Sequence, residues 1–165
     1  MRSTLLVLAL LVGACSDSDG TAGSTPLEPA EISDQEGAVC GMIVRDQSAP
    51  RGQVIHRDGE RSFLCSIGDL LAYLEAPSPH GDPASVLVEV MDPSEDPWET
   101  HVGAHPWIPA HDGVYVVGVR QRQIMGPPVL VYRDRGSAER VIAGTDGRVL
   151  DYPELVRWWR DQQEH

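Results

Sequence analysis

The sequence predicts an α+β fold: two similar ββαβ modules packed into one small body, preceded by a signal peptide and a flexible acidic tether. One observation is that strand-length apolar runs and capped helices occur twice in the same order, over residues 38–92 and 113–165. A second is that a connecting loop rich in Pro, Trp and His separates these stretches at residues 93–112. Repetition of element order indicates one supersecondary unit used twice, and helices covering the apolar faces of strands form an α+β body.

The first module contains one hairpin signal and one helix start. Asp58-Gly59 favours a two-residue hairpin turn, which would place Gly52 opposite Cys65 across the strand pair. A capping box at residues 66–69 opens the helix. The predicted elements are strands over residues 42–45, 53–56 and 61–65, a helix that Pro77 ends, and a buried strand over residues 85–91.

The second module repeats this order and adds a C-terminal helix. Its predicted elements are strands over residues 114–119 and 128–132, a helix over residues 137–143 and a strand over residues 148–152. Gly144 ends the first of the two helices. Asp151 and Glu154 have the spacing of a second capping box, and Leu155 and Trp159 then give the last helix an apolar face.

The N-terminus predicts export and a lipid anchor. Arg2 and the short apolar run over residues 5–12 are typical of a secretory signal peptide, here residues 1–14. Cys15 directly follows small residues, as in a bacterial lipobox, so we expect it to carry lipid in the periplasm. An ordinary signal peptide followed by a chance cysteine is the alternative. Ser16 favours the outer membrane over the inner membrane.

Residues 15–37 are predicted to form the lipidated cysteine and its acidic linker. This stretch has many acidic and small residues and no basic one, a composition that does not bury enough apolar surface to order itself. The whole chain has a net charge of -12 and contains no lysine. Nucleic acid is therefore excluded as a partner, because phosphate binding requires a basic patch.

Cys40-Gly41-Met42 is the sharpest chemical feature of the sequence. Glycine tolerates unusual backbone angles, so the two flanking sulfurs can turn toward one point. A thiolate and a thioether are soft donors that select Cu(I), whereas zinc sites prefer thiolate, imidazole and carboxylate ligands. From these residues alone, the alternative is that both side chains fill the core.

Two further methionines are candidate sulfur donors. Met125 precedes Gly126 and two prolines, so it lies in a turn, where an apolar side chain is a candidate for binding. The alternative is that the Met125 side chain covers the core from the loop. Met91 ends a predicted buried strand, and we expect it to pack in the core, with ligation as a reserve role.

The remaining cysteine, Cys65, is expected to be structural. It alternates with Phe63 on one face of a strand that precedes an amphipathic helix, a pattern typical of burial, and buried thiols are usually inert. Cys40 lies where the tether meets the first strand, where solvent reaches it. A disulfide between Cys40 and Cys65 is therefore not expected.

A second, harder metal site is a further hypothesis. Three histidines lie in the connecting loop: His101, His105 and His111. With Glu99 or Asp112 they would suit Zn(II) or Cu(II), although loop histidines are mostly solvated. Trp98 and Trp107 in the same loop are either docking aromatics or side chains that fold back onto the core.

Taken together, the motifs resemble the NosL family of accessory lipoproteins, which support copper loading of nitrous oxide reductase. The specific segments are Cys40-Gly-Met-Ile-Val44 and Met125-Gly126-Pro127. Supporting positions in the same order are Gly52-Gln53, Phe63, Trp98 and Trp107. The resemblance spans essentially the whole chain after the signal peptide and implies the same two-module fold.

The resemblance implies a copper chaperone and not an enzyme. Its Cu(I) would be held by Cys40 and Met42, with Met125 as a further ligand, and its partners would be nitrous oxide reductase and the ABC-type maturation complex of that enzyme. One alternative is a general metal-sequestering lipoprotein without a dedicated client. Another is a thiol-dependent periplasmic enzyme related to the organomercurial lyases, using Cys40 and Cys65.

Overall fold

The computed structural model describes residues 27–119 and 127–164. Its helices and strands are β1 Gly52–His56, β2 Arg61–Leu64, α1 Ile67–Glu75, β3 Pro83–Glu89, β4 Trp107–Pro109, β5 Val114–Val117, β6 Val129–Tyr132, α2 Arg135–Ile142, β7 Arg148–Leu150 and α3 Tyr152–Gln163. Short 3₁₀ helices occupy Val44–Asp46 and Ala110–Asp112. The expectations for the signal peptide, Cys15 and Met125 concern positions outside the described residues.

The strands form two antiparallel sheets, with orders β2-β1-β3-β4 and β6-β5-β7. In each sheet the first strand of its module is flanked by the second strand and by the strand that follows the helix. The predicted α+β fold with two similar ββαβ modules is therefore confirmed. Among the described residues, no helix has the length and apolar character that a membrane span requires.

The β1–β2 hairpin has a longer turn than predicted. The His56 N–H donates to the Glu60 carbonyl at 2.9 Å, which leaves a three-residue loop that Gly59 ends with φ +95°. A three-residue loop with its last residue in the left-handed region is the next commonest hairpin. Gly52 consequently pairs with Leu64, so the predicted pairing of Gly52 with Cys65 is wrong by one residue.

The predicted strand at residues 42–45 is also wrong. Residue Ile43 makes only an isolated bridge to Glu36, and a 3₁₀ helix begins at Val44. The reason is that the segment folds back on the residues before it, since the Val44 N–H donates to the Gln35 carbonyl at 2.9 Å. Its backbone groups are satisfied locally instead of by the edge of a sheet.

The connecting loop contributes a strand that the sequence did not predict. Trp107–Pro109 pairs with β3 as β4, with Ile108 opposite Val88. Trp107 is consequently part of the first sheet, whereas the Trp98 side chain stays 38% exposed. The loop is thus partly tied to the first module.

One hydrophobic core joins the two modules. It combines Val54, Leu64 and Leu70 of the first module with Leu155 and Trp159 of the C-terminal helix, all buried. Burial of such side chains stabilises the fold by about 1.5–3 kcal/mol each. Because both sheets contribute to the same core, the modules pack as one body.

A buried ion pair fixes the chain segments at one end of the first sheet. Arg51 is 2% exposed and Glu89 is 1% exposed, and Arg51 Nε donates to Glu89 Oε2 at 2.6 Å. Arg51 Nη2 donates both to Glu89 Oε1 and to the Gly103 carbonyl, each at 2.7 Å. Arg51 thus ties β1 to β3 and to the loop that leads into β4. Removing one partner of such a buried pair costs about 3–5 kcal/mol, because the other charge is left uncompensated.

Candidate metal site

Cys40 lies in a tight turn that is anchored on the first sheet. The Gly37 N–H donates to the Met42 carbonyl at 2.7 Å, and the Gly41 N–H donates to the Gly37 carbonyl at 2.8 Å. Gly41 has φ +69°, a left-handed conformation that glycine adopts without steric cost. The Ala38 N–H donates to the Phe63 carbonyl at 2.9 Å. This last bond holds the turn against the end of β2.

Cys65 lies at the end of β2, next to the turn that carries Cys40. It follows the last residue of that strand and precedes Ser66, the N-cap of α1. The Ser66 Oγ accepts a hydrogen bond from the Asp69 N–H at 3.0 Å, so the first turn of the helix is fixed beside the thiol. The Cys65 side chain is 5% exposed, and its predicted burial is confirmed.

The two thiol sulfurs lie 2.7 Å apart, and both cysteines are free. The sequence analysis, which expected a solvent-accessible Cys40 and a structural, buried Cys65, did not anticipate that the two sulfurs are adjacent. The turn that carries Cys40 folds over the end of β2 and covers Cys65, instead of leading away from it as a strand. Cys40 is half-buried, so the pair has one sheltered and one accessible sulfur.

Asp69 completes a group of three donors. Its carboxylate and the two sulfurs all lie within 4.8 Å of one another, and no other such group of His, Cys, Asp and Glu donors occurs in residues 27–119 and 127–164. Burial raises the pKa of Asp69, while hydrogen bonds from the Cys40 side chain and the Cys65 backbone lower it in part. Burial is also the main reason that the pKa of the Cys65 thiol is raised, followed by its hydrogen bond with Cys40. Each buried group therefore favours its neutral form.

Gly37 is a part of the site that the sequence analysis assigned to the tether. A Cβ atom at this position would lie 2.5 Å from the Cys65 sulfur and 2.7 Å from the Cys40 sulfur. Only glycine leaves room for both thiols. The signal in the sequence was the glycine three residues before Cys40, but a glycine in a Gly- and Ser-rich stretch carries no such information by itself.

Met42 packs beside the thiols. It is half-buried and contacts a small cluster formed by Val44, Phe63 and Cys65. Met91 is 1% exposed and lies in a different cluster of the core, as expected for a packing role. Met125, the further candidate ligand, is outside the described residues.

Part of the predicted tether contacts the domain next to this site. The Ala30 N–H donates to Gln53 Oε1 at 2.9 Å, and Gln53 Nε2 donates to the Ala30 carbonyl at 2.7 Å. Ala30 and Ile32 also pack against the cluster that contains Cys65. These residues cover one flank of the thiol pair.

The three loop histidines are divided between two places. His101 and His105 both approach the carboxylate of Glu95, a residue that the sequence analysis did not single out. His111 instead faces Asp112, with the two side chains 75% and 59% exposed. The sequence hypothesis of a site shared by all three histidines does not match this arrangement.

Comparisons with known proteins support the family resemblance that the sequence motifs indicate. The chain is 29% identical to the copper-binding lipoprotein NosL of Stutzerimonas stutzeri over 153 residues, which cover 92% of this chain and 78% of the relative. It is 25% identical to the copper-binding lipoprotein NosL of Achromobacter cycloclastes over 160 residues, covering 94% and 80% of the two chains. The crystal structure of the copper chaperone NosL from Shewanella denitrificans superposes with a TM-score of 0.64 at 26% identity, covering 78% of this chain and 96% of that one. The NosL family model matches residues 29–158, and this chain therefore belongs to the NosL family.

Proposed function

We propose that this chain is a lipid-anchored periplasmic chaperone that carries one Cu(I) ion and delivers it for maturation of nitrous oxide reductase. The observation that carries the proposal is the pair of free thiols, Cys40 and Cys65, whose sulfurs lie 2.7 Å apart with one of them half-buried. The names of the relatives, copper-binding lipoprotein and copper chaperone, support copper as the cargo. Maturation of nitrous oxide reductase, with its ABC-type complex, is the client that the family resemblance implies.

Sulfur chemistry favours Cu(I) over other ions at this site. Thiolates and thioethers are soft ligands that suit Cu(I). The proposed ligands are Cys40 and Met42, with Met125 as a further donor, and we add Cys65 to this set because its sulfur lies 2.7 Å from that of Cys40. The oxygen of Asp69 is a hard donor, so we assign this carboxylate, which lies within 4.8 Å of both sulfurs, to the surroundings of the ion and not to its ligands.

The position of the site suits transfer. Cys40 is half-buried on a turn at the surface, so a partner's sulfur ligand can reach an ion bound there. Cys65 is buried and would be the last protein ligand to dissociate from the ion. A stepwise exchange of ligands then moves the ion from Cys65 and Cys40 to the partner without releasing it into solution.

Delivery is tested by incubating the Cu(I)-loaded full chain with copper-free nitrous oxide reductase under anaerobic conditions. We expect the copper absorption bands and the activity of the reductase to appear. The Cys40→Ser chain should transfer no copper. A wild-type chain that binds Cu(I) tightly but transfers none would instead indicate general metal sequestration.

The lipid anchor is a separate part of the proposal. The cysteine after small residues predicts lipidation at Cys15, and Ser16 favours the outer membrane. We expect the Cys15→Ala chain to be lost from the membrane fraction while it still binds Cu(I). Retention of this variant with the outer membrane would contradict the anchor and leave the copper site untouched.

The cysteine pair also favours a second candidate function, a thiol-dependent activity of the organomercurial lyase kind. Two adjacent free thiols next to a carboxylate are present in this chain. The test is incubation of the copper-free chain with phenylmercuric ion and detection of benzene. Under the chaperone proposal we expect the thiols to bind the mercurial without turnover, and catalytic release of benzene would favour the enzyme.

A further inference from the structure

We propose that Glu95, His101 and His105 form a second metal site, for a divalent cation of borderline softness such as Zn(II) or Cu(II). The site is built from the connecting segment before β4 and contains no sulfur. It does not depend on the Cu(I) chaperone function proposed above, because it shares no ligand with the thiol pair.

The two histidines converge on one carboxylate oxygen. His105 Nε2 lies 2.9 Å from Glu95 Oε1, and His101 Nδ1 lies 3.5 Å from the same oxygen. Two ligands bound at about 2.1 Å to a tetrahedral ion are about 3.4 Å apart. The two distances to Glu95 are therefore those of ligands around one ion. The ring nitrogens of the two histidines lie more than 4.8 Å from each other, so binding requires that the rings, whose centroids are 6.5 Å apart, draw together.

The other nitrogen of each ring faces a backbone carbonyl. His105 Nδ1 lies 2.9 Å from the Gly103 carbonyl oxygen, and His101 Nε2 lies 2.7 Å from the Asp96 carbonyl oxygen. A carbonyl oxygen and a carboxylate only accept hydrogen bonds, and a neutral imidazole has one N–H to donate. If that N–H is donated to the carbonyl, the other ring nitrogen directs its lone pair at the Glu95 carboxylate. The lone pair and the carboxylate repel each other unless a cation lies between them and binds both.

This arrangement has the outer partners that metal-binding histidines require. A histidine ligand almost always donates its second ring N–H to a carbonyl or a carboxylate, which fixes the ring and its tautomer. Glu95 is held as well, since the Asp92 N–H donates to Glu95 Oε2 at 3.0 Å. The side chains of His105, His101 and Glu95 are 6%, 18% and 24% exposed, so an ion there would be largely shielded from solvent.

The donor set selects the cation. Two imidazole nitrogens and one carboxylate suit Zn(II) and Cu(II), whereas Cu(I) prefers sulfur. Three protein ligands also leave a coordination position for water or for a donor from a partner. The chain would then separate its metals by softness, with Cu(I) at the thiols and a divalent ion at the histidines.

Nuclear magnetic resonance of the full chain tests the site without any substitution. Spectra that correlate ring nitrogens with ring protons report each histidine separately. One equivalent of Zn(II), added after the thiols are filled with Cu(I), should shift the resonances of His101 Nδ1 and His105 Nε2. The resonances of His111 should not move. If the two rings are instead doubly protonated and do not respond to Zn(II), they form a simple ion pair with Glu95 and the proposal is overturned.

Two variants provide an independent test with a matched control. We expect Glu95→Gln and His105→Gln each to weaken Zn(II) binding at this site at least about tenfold, because even an outer-shell partner is worth about ten- to hundredfold in metal affinity. The control is His111→Gln in the same segment, which should bind as the wild type does. Glu95→Gln keeps a polar side chain of the same size at a partly exposed position, so the test does not depend on the more buried His105. Equal Zn(II) affinity in all four chains would overturn the proposal.

Discussion

The two modules share one topology and differ at the junction between the second strand and the helix. In each module a four-residue strand is followed by two residues and then by the helix. The first of these two residues is the buried Cys65 in one module and the exposed Arg133 in the other. The second is an N-cap in both, Ser66 and Asp134.

A second difference lies in what covers this junction. The turn that carries Cys40 is bonded to Phe63 at the end of β2 and shields Cys65. In the described part of the second module, Arg133 at the corresponding position is exposed. The comparison teaches that the ββαβ unit supplies a scaffold, and that the proposed metal site consists of a thiol and a covering turn added to one copy of it.

Substitution of the thiols should have the largest effect. We expect Cys40→Ser and Cys65→Ser each to lower the Cu(I) affinity at least about a hundredfold, because loss of a ligand exceeds the ten- to hundredfold loss typical of outer-shell partners. Arg133→Ser, at the corresponding position of the second module, should leave the affinity unchanged. Competition titrations against a Cu(I) chelator measure all three, and wild-type affinity in Cys65→Ser would show that Cys65 is only structural.

Filling the space under the thiols should have the next largest effect. Gly37→Ala places a Cβ atom 2.5 Å and 2.7 Å from the two sulfurs, so the turn must shift. We expect weaker Cu(I) binding and a loss of stability of about 1–3 kcal/mol, as for overpacked sites.

The matched control for Gly37 is Gly103→Ala, where a Cβ atom would meet no atom within 4 Å. This variant should stay within about 0.5 kcal/mol of the wild type. Denaturant unfolding and Cu(I) titration compare the two. Unimpaired copper binding by Gly37→Ala would contradict the close approach of the turn to Cys65.

The raised pKa of Cys65 predicts a pH dependence of copper binding. Burial and Cys40 raise the pKa of this thiol, so the copper-free site keeps its proton at neutral pH and releases it when the thiolate binds the ion. The Cu(I) affinity should therefore rise with pH, by about tenfold per pH unit for this one proton. Cys65→Ser should make the dependence less steep by that factor. An unchanged slope in titrations from about pH 6 to about pH 8 would argue against Cys65 as a ligand.

The helix caps should show the smallest effects. Ser66→Ala removes the hydroxyl that accepts from the Asp69 N–H and should cost about 1 kcal/mol of stability, together with some Cu(I) affinity because Cys65 is adjacent. Asp134→Ala should lower the thermal stability without any effect on copper. Hydrogen bonds from Ser137 lower the pKa of Asp134, so its stabilising contribution is lost as the pH falls through that pKa. Thermal unfolding at neutral and acid pH separates the two caps.

The helix caps, which depend on residues close together in the chain, are predicted well from the sequence. The cap at Ser66 and the capping box of Asp151 and Glu154 both appear where the spacing placed them. The helix α2 begins earlier than predicted because Asp134, not a later residue, is its N-cap. Alternation and caps involve neighbours in the chain, so the residues themselves carry the information.

The parts that were missed depend on contacts distant in sequence. The approach of Cys40 to Cys65 rests on the bond between Ala38 and Phe63, and no periodicity encodes that bond. Strand β4 is a strand only because β3 pairs with it, in a segment whose prolines argue for a loop. The sequence thus indicated the motif around Cys40 and the burial of Cys65, but not that the two sulfurs lie 2.7 Å apart.

X-ray absorption at the copper edge tests the central claim most directly, because it reports the atoms bound to the ion. The Cu(I)-loaded full chain should show a first shell of sulfur only, and the Cys65→Ser chain should show one sulfur fewer. The spectrum of Arg133→Ser should match that of the wild type. A shell of nitrogen and oxygen in the wild type, or the same number of sulfurs in Cys65→Ser, would contradict a copper site built on the thiol pair of the first module.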